Sequence, residues 1–161
     1  MDRLVVSAAT LGFKIDREEL ERALTEAART AINRPPSRVR VTVSKDGSWE
    51  ITEPQSLLLD APQLQAVLWP DPIDSRDPWL RHKTTPRPVY DRAVGEAHSV
   101  GFIDAIFHNE RGFVTEGASH SIFVRHGSVW RTPTLSAGIF PGVYRSYVLE
   151  KWPTIQEEDF T

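Results

Sequence analysis

Residues 76–90 read RDPWLRHKTTPRPVY, and Lys83 is the centre of that stretch. The chain has only four lysines against fifteen arginines. Lys14 lies between two apolar segments, Lys45 precedes an Asp46-Gly47 turn, and Lys151 falls in the last turn of an expected helix. Those are ordinary surface positions. Lys83 stands instead beside His82, Thr84 and Thr85, between aromatic and proline-bounded segments. An amine drawn out of water in such surroundings has a lowered pKa and becomes a Schiff-base nucleophile. A lone lysine is far more often a solvated side chain, so the assignment depends on what stands around it.

Composition narrows the field. The 161 residues suit one domain or two small lobes. A hydrophobic share of 40% and a charged share of 25% allow a buried core and argue against wholesale disorder. A formal charge of −3 and a pI near 5.9 give no electrostatic case for nucleic acid or an anionic membrane. With no cysteine, disulfides, thiol catalysis and Cys-ligated metal sites are excluded. No apolar run reaches transmembrane length and the N-terminus lacks a signal-peptide layout, so a soluble cytoplasmic protein is expected.

Upstream of Lys83, residues 1–11 carry apolar residues at helical spacing and close on Gly12. A helix that begins uncapped at the first residue suggests an upstream segment. A second helix is expected over 16–33, with Asp16 as N-cap, Glu18 and Glu19 at its positive end, and Leu20, Ala23, Leu24 and Ala27 as its buried stripe. Residues 38–44 alternate polar and β-branched types and predict a half-buried strand. Asp46-Gly47 turns it into a return strand over 48–52. Residues 53–62 read as a linker between lobes, and 64–69 as a short buried strand.

Downstream, a helix is expected over 90–100, then a strand over 102–108 and a polar turn over 109–112. Strands over 113–116, 119–125 and 128–131 predict a meander, with His126-Gly127 as a hairpin turn. A glycine- and proline-bounded loop over 138–142 leads into a helix over 143–151. The last residues, PTIQEEDFT, show no clear periodicity.

Three features bear on chemistry. Gly142 just before a helix frees backbone N–H groups to point at an anion, and Arg145 adds a positive charge nearby; a tight strand-to-helix turn is the plainer reading. Glu116, at the end of a strand and followed by Gly-Ala-Ser, is placed to face a cleft and pair with a protonated ring nitrogen of a cofactor, although most such acids are solvated. Arg3 with Ser7 on the first helix offers a second anion contact, or a plain surface arginine. The five histidines show no metal-ligand spacing with acids, so no metal site is expected. A Schiff-base lysine, a pyridinium partner and a phosphate-binding helix start are the parts that pyridoxal phosphate needs.

The segments HKTTPRPVYDRA, NERGFVTEGASHSIFV and TPTLSAGIFPGVYR, in that order, resemble the fold-type IV pyridoxal-phosphate enzymes (class IV aminotransferase family). That group includes branched-chain and D-amino-acid aminotransferases and 4-amino-4-deoxychorismate lyase. Residues 72–93, PIDSRDPWLRHKTTPRPVYDRA, look most like the lyase-type domain often fused behind the aminodeoxychorismate synthase component. The start, MDRLVVSAATLGF, resembles the family's helix that carries a phosphate-binding arginine.

The resemblance implies an α+β fold of the D-amino-acid aminotransferase type. A small α/β lobe would span residues 1–62, and a larger, β-rich, cofactor-binding lobe residues 63–161. It implies pyridoxal 5'-phosphate carried by Lys83, which would also move protons in catalysis. Glu116 would hold the pyridine nitrogen protonated. Arg3 and the backbone amides of Val143 and Tyr144 would contact the phosphate. The activity implied is release of pyruvate from aminodeoxychorismate to leave p-aminobenzoate for folate synthesis, in a cytoplasmic homodimer, with fusion to or association with the synthase. An aminotransferase acting on branched-chain or D-amino acids is the alternative within the fold.

The chain also departs from the family pattern. Val143-Tyr144 stands where isoleucine-threonine is usual, which keeps the backbone contacts and loses a hydroxyl. Ser121 stands where asparagine is usual. The family's opening strands and closing segment are not seen, so the sequence reads as a domain shortened at both ends. A non-catalytic fragment that keeps the motifs without completing the pocket is therefore a third reading.

Overall fold

The computed structural model describes residues 1–31, 37–52, 55–56 and 64–161, and the chain divides into two compact units, Met1–Ala61 and Pro62–Thr161. The first unit opens with α1 (Asp2–Leu11) and α2 (Arg17–Ala31). The Asp16 carboxylate accepts from the Glu19 N–H at 2.9 Å, the capping contact its position predicts. Leu20, on the apolar stripe of α2, is fully buried. Four short strands follow: β1 (Ser37–Arg38), β2 (Val41–Val43), β3 (Trp49–Ile51) and β4 (Gln55–Ser56).

The strand expected over 38–44 is thus divided in two. β2 pairs antiparallel with β3 across the Asp46-Gly47 turn, while β1 pairs with β4. Thr52 takes up the backbone groups of Arg40 at the break, its N–H donating to the Arg40 carbonyl at 2.9 Å and its hydroxyl accepting from the Arg40 N–H at 3.1 Å. The last two residues of the helix expected over 16–33 lie outside the described residues, as does most of the linker expected over 53–62. Gln55–Ser56, within that linker, form β4.

The second unit holds β5 (Ala66–Leu68), α3 (Pro88–Ser99), β6 (Asp104–His108), β7 (Val114–Gly117), β8 (Val124–His126), β9 (Val129–Thr132), α4 (Val143–Lys151) and β10 (Gln156–Glu157). β5 and β6 are parallel, which requires a crossover between them. That crossover contains the 3₁₀ turn Pro78–Arg81, then Lys83, then α3. Pro88 sits in the first turn of α3, where its missing N–H costs nothing. Tyr90, Ala93 and Ala97 recur on one face of the helix and are buried, and two alanines let the helix lie close to the sheet. Phe107 of β6 is fully buried with its ring centre 4.6 Å from that of Tyr90 and 6.2 Å from that of Trp69. This apolar cluster holds the Lys83 crossover against β6 and β7.

Two expectations are corrected here. Residues 64–69 do not form a buried strand, because β5 is an edge strand with β6 as its partner and leaves Leu64 and Leu68 exposed. The meander is also broken. β7 stays antiparallel to β6, but the chain then turns out of that sheet, and β8 and β9 form a hairpin in a second sheet. The C-terminal residues, which lack periodicity, supply the third strand of that sheet. β10 runs parallel to β9, Asp159 accepts from the Thr134 N–H and hydroxyl, and the Phe160 carbonyl accepts from the Val114 N–H. α4 has the bounds expected after its glycine- and proline-bounded loop. Among the described residues no helix is long and apolar enough to cross a membrane.

Candidate functional site

Three segments far apart in the chain meet around one buried carboxylate. Glu116, near the end of β7, is 6% exposed. Its Oε2 accepts from the Phe140 N–H at 3.0 Å, and Phe140 belongs to the loop that leads into α4. Its Oε1 accepts a long hydrogen bond, 3.4 Å, from the Tyr90 hydroxyl on α3, with Arg87 at 3.9 Å. Lys83 completes the group, with Nζ 5.4 Å from the centre of the Phe140 ring, but it is exposed, so its neighbours do not draw the amine out of water as the sequence suggested. The sequence motifs around Lys83, Glu116 and residues 138–142 are therefore brought together within the second unit.

The electrostatics follow from this packing. Burial pushes the Glu116 carboxyl up to about 7, against the Phe140 N–H and the charges of Arg87 and Lys83, which favour the ionised form. The charges of Arg87, 3.9 Å away, and of Lys83 do not outweigh the cost of burial. The Tyr90 hydroxyl is pushed upward by burial and by Glu116, so it acts as a donor at neutral pH. The Arg87 guanidinium carbon lies over the Tyr90 ring, 4.0 Å from its centre, and Arg87 donates to the Ala118 carbonyl at 2.9 Å, which fixes α3 to the end of β7. An open cleft of about 380 Å³ lies alongside, lined by Trp79, His82, Thr84, Arg87 and Tyr90 among others.

At the start of α4, Gly142 is the N-cap and provides no side-chain cap. Among the described residues no group accepts from the N–H of Val143 or Tyr144, and both side chains are exposed. A Cβ on Gly142 would stand 3.3 Å from the Ser121 hydroxyl, so the missing side chain lets that hydroxyl approach the helix start. Arg145 does not join this end. It is 4% exposed and donates at 2.7 Å both to the Pro133 carbonyl and to Glu157 of β10, so it ties α4 to the second sheet instead of serving an anion. Arg3 and Ser7 lie on α1 of the first unit, where burial lowers the Arg3 pKa.

Several residues escaped sequence reasoning. Tyr90 and Arg87 sit in the stretch already singled out, and their three-residue spacing at the start of a helix was the available signal. Phe140 carried no signal, because its role is played by its backbone N–H and its ring. Asp104 and His120 also pair, His120 Nδ1 lying 2.5 Å from Asp104 Oδ2, and nothing in the sequence links two residues so far apart. Among the described residues no group of three or more acids and histidines is arranged to hold a metal ion.

The family model for class IV amino-transferases matches residues 1–161. The chain belongs to the class IV amino-transferase family. Family members and their structural relatives are pyridoxal-phosphate enzymes, and pyridoxal phosphate is the cofactor this membership implies. No curated protein matches the chain. Among solved structures, a Mesorhizobium loti protein described as an amino-acid aminotransferase is 29% identical, with a TM-score of 0.84 over 99% of this chain and 77% of that one. A Legionella pneumophila protein described as a 4-amino-4-deoxychorismate lyase is 20% identical, with a TM-score of 0.79 over 99% of this chain and 66% of that one. The branched-chain aminotransferase of Thermobaculum terrenum, in its PLP form, is 19% identical, with a TM-score of 0.74 over 98% of this chain and 59% of that one. The latter two establish the fold-type IV architecture. The class IV chain described here spans about three fifths to three quarters of the length of these relatives.

Proposed function

We propose that this class IV chain holds pyridoxal phosphate in its second lobe, residues 63–161, and acts as a 4-amino-4-deoxychorismate lyase that releases pyruvate to form p-aminobenzoate. The observation that carries the cofactor site is the convergence of Lys83, the Phe140 loop and buried Glu116. The residues fit the group on chemical grounds. Even with Arg87 at 3.9 Å, burial raises the Glu116 carboxyl to about 7, and a protonated ring nitrogen beside it would restore the ionised state. When bound, pyridoxal phosphate supplies an electron sink for the bond-breaking step.

Each residue then has a task. Lys83 would hold the cofactor through its amine and would move protons at the reacting carbon and the leaving group. Glu116 would keep the ring nitrogen protonated, and the Phe140 N–H and Tyr90 hydroxyl hold its two oxygens in place. The N–H groups of Val143 and Tyr144 at the start of α4 would hold the phosphate. The lyase assignment rests on the wording of residues 72–93, and a cytoplasmic homodimer, fused to or associated with the synthase, goes with it.

Two further readings stand beside it. The 29% identity with an amino-acid aminotransferase favours transamination. The other is a chain that keeps the motifs without binding the cofactor. Absorbance spectra with added pyridoxal phosphate, before and after borohydride, separate the fragment from the enzymes. A visible band that becomes fixed to the protein, and is lost in Lys83→Ala, is expected; no band, or one indifferent to Lys83, would overturn the cofactor site. Product analysis with aminodeoxychorismate against pairs of amino donor and keto acid then distinguishes lyase from aminotransferase.

A further inference from the structure

The four residues after Glu116 form a tight turn built on a second buried acid. Asp104 of β6 is 2% exposed, and its Oδ1 accepts from the Ala105 N–H at 2.8 Å. Its Oδ2 accepts from the Ser119 N–H at 3.1 Å and lies 2.5 Å from His120 Nδ1. The turn closes on itself through the Gly117 N–H to the His120 carbonyl at 2.8 Å. Gly117 is obligatory, because a Cβ there would stand 2.5 Å from Asp104 Oδ2 and 3.2 Å from the His120 carbonyl oxygen. One side chain thus holds both the backbone and the terminal residue of the turn that begins at Glu116.

We infer that Asp104 and His120 are a positioning pair: by clamping residues 117–120 they hold Glu116 at the place from which it receives the Phe140 N–H and meets the cofactor ring. This rests on the cofactor reading above. The pair is an odd choice for stability alone, since a buried ion pair is commonly no better than apolar residues of the same volume. It also lies within reach of the Lys83 charge. The His120 side chain is 54% exposed, and the charge of Lys83 is near enough to oppose its protonation, although the Asp104 hydrogen bond holds it protonated above its usual range. Cofactor contacts tolerate displacements well below 1 Å, so the geometry of the residue next to such a turn is worth fixing.

Three variants test the assignment: His120→Ala removes the donor, while His120→Asn keeps a neutral donor near the Nδ1 position and Asp104→Asn removes the charge. Two readouts are used on the whole chain, the amide resonance of Phe140 without cofactor and the dissociation constant of pyridoxal phosphate from absorbance. The expected result for His120→Ala is a displaced Phe140 amide and about fivefold weaker cofactor binding, the loss of one hydrogen bond's worth of order, with most of both restored in His120→Asn. A strongly downfield His120 Nδ1 proton is expected in the wild type and lost in Asp104→Asn. An unmoved Phe140 amide in His120→Ala would overturn the inference, whatever happens to thermal stability. If the wild type binds no pyridoxal phosphate, the cofactor reading fails, while the Phe140 amide still decides whether the pair positions Glu116.

Discussion

Asp104 and Glu116 sit on adjacent antiparallel strands, both almost fully buried, yet their acidities move in opposite directions. Burial raises the Asp104 carboxyl, but the hydrogen bonds from His120, Ser119 and Ala105 outweigh it and hold the group below the usual carboxylate range. Glu116 accepts one good hydrogen bond and one long one, and burial prevails, pushing it up to about 7. Burial alone therefore does not decide the charge of a carboxyl; the number and charge of its donors do. Asp104 is saturated and serves the scaffold. Glu116 is left with a deficit that a further cation beside it would relieve.

The largest effect expected from this contrast is on Glu116. Its folded pKa lies above its ordinary value, so its contribution to stability is full below about pH 4.5 and is lost as pH rises through about 7. The difference amounts to about 3 kcal/mol at pH 8. Urea unfolding at pH 4.5 and pH 8 should show that loss in the wild type and its absence in Glu116→Gln. An equal slope in both would mean that Glu116 ionises without penalty. In the loaded enzyme the same variant should turn over about 100-fold more slowly, since the amide no longer favours a protonated ring nitrogen.

Gly117→Ala comes next, at about 2 kcal/mol of destabilisation in chemical unfolding, because its Cβ collides with the saturated carboxylate. A neutral result would show that the turn yields easily. Asp104→Asn should cost about 1–2 kcal/mol at pH 6 through the charge-assisted bonds it loses. The linkage here has the reverse sign from Glu116: the Asp104 contribution is present above its ordinary pKa and disappears as pH falls through its depressed folded value. The raised His120 contributes below about pH 6.5 and is lost at higher pH. Thermal melts across that range check both directions. Smallest is Arg87→Met, which keeps the packing on Tyr90 and removes a charge that favours ionised Glu116. The midpoint of the Phe140 amide titration should then rise by under about one pH unit, and a fall would show that Arg87 does not act on Glu116.

Much of this was legible in the chain. α4 has its expected bounds, Asp16 caps α2, and Asp46-Gly47 turns a hairpin, because each depends on residues within one or two turns of each other. Lys83 and Glu116 were legible from the order of three motifs, and the structure draws them round the Phe140 loop. Arg145 was misjudged for an instructive reason. Its place in the first turn of a helix suggested an anion contact, but the direction of its side chain is set by β10, twelve residues further on. The strand over 64–69 was misjudged similarly: an apolar run does not reveal whether neighbours cover it.

The amino-acid sequence by itself determined most local elements and the family. Those follow from side-chain type, short-range spacing and the order of motifs. Only the tertiary structure decided that Tyr90 and Phe140 share Glu116, that His120 pairs with Asp104 and that Arg145 is spent on β10. These contacts join residues 12 to 26 positions apart, or 24 in the case of Phe140. The reason is physical. Which distant groups meet depends on strand register and on the depth of burial, and burial in turn sets whether a carboxyl holds its charge. Neither quantity exists until the sheets have formed.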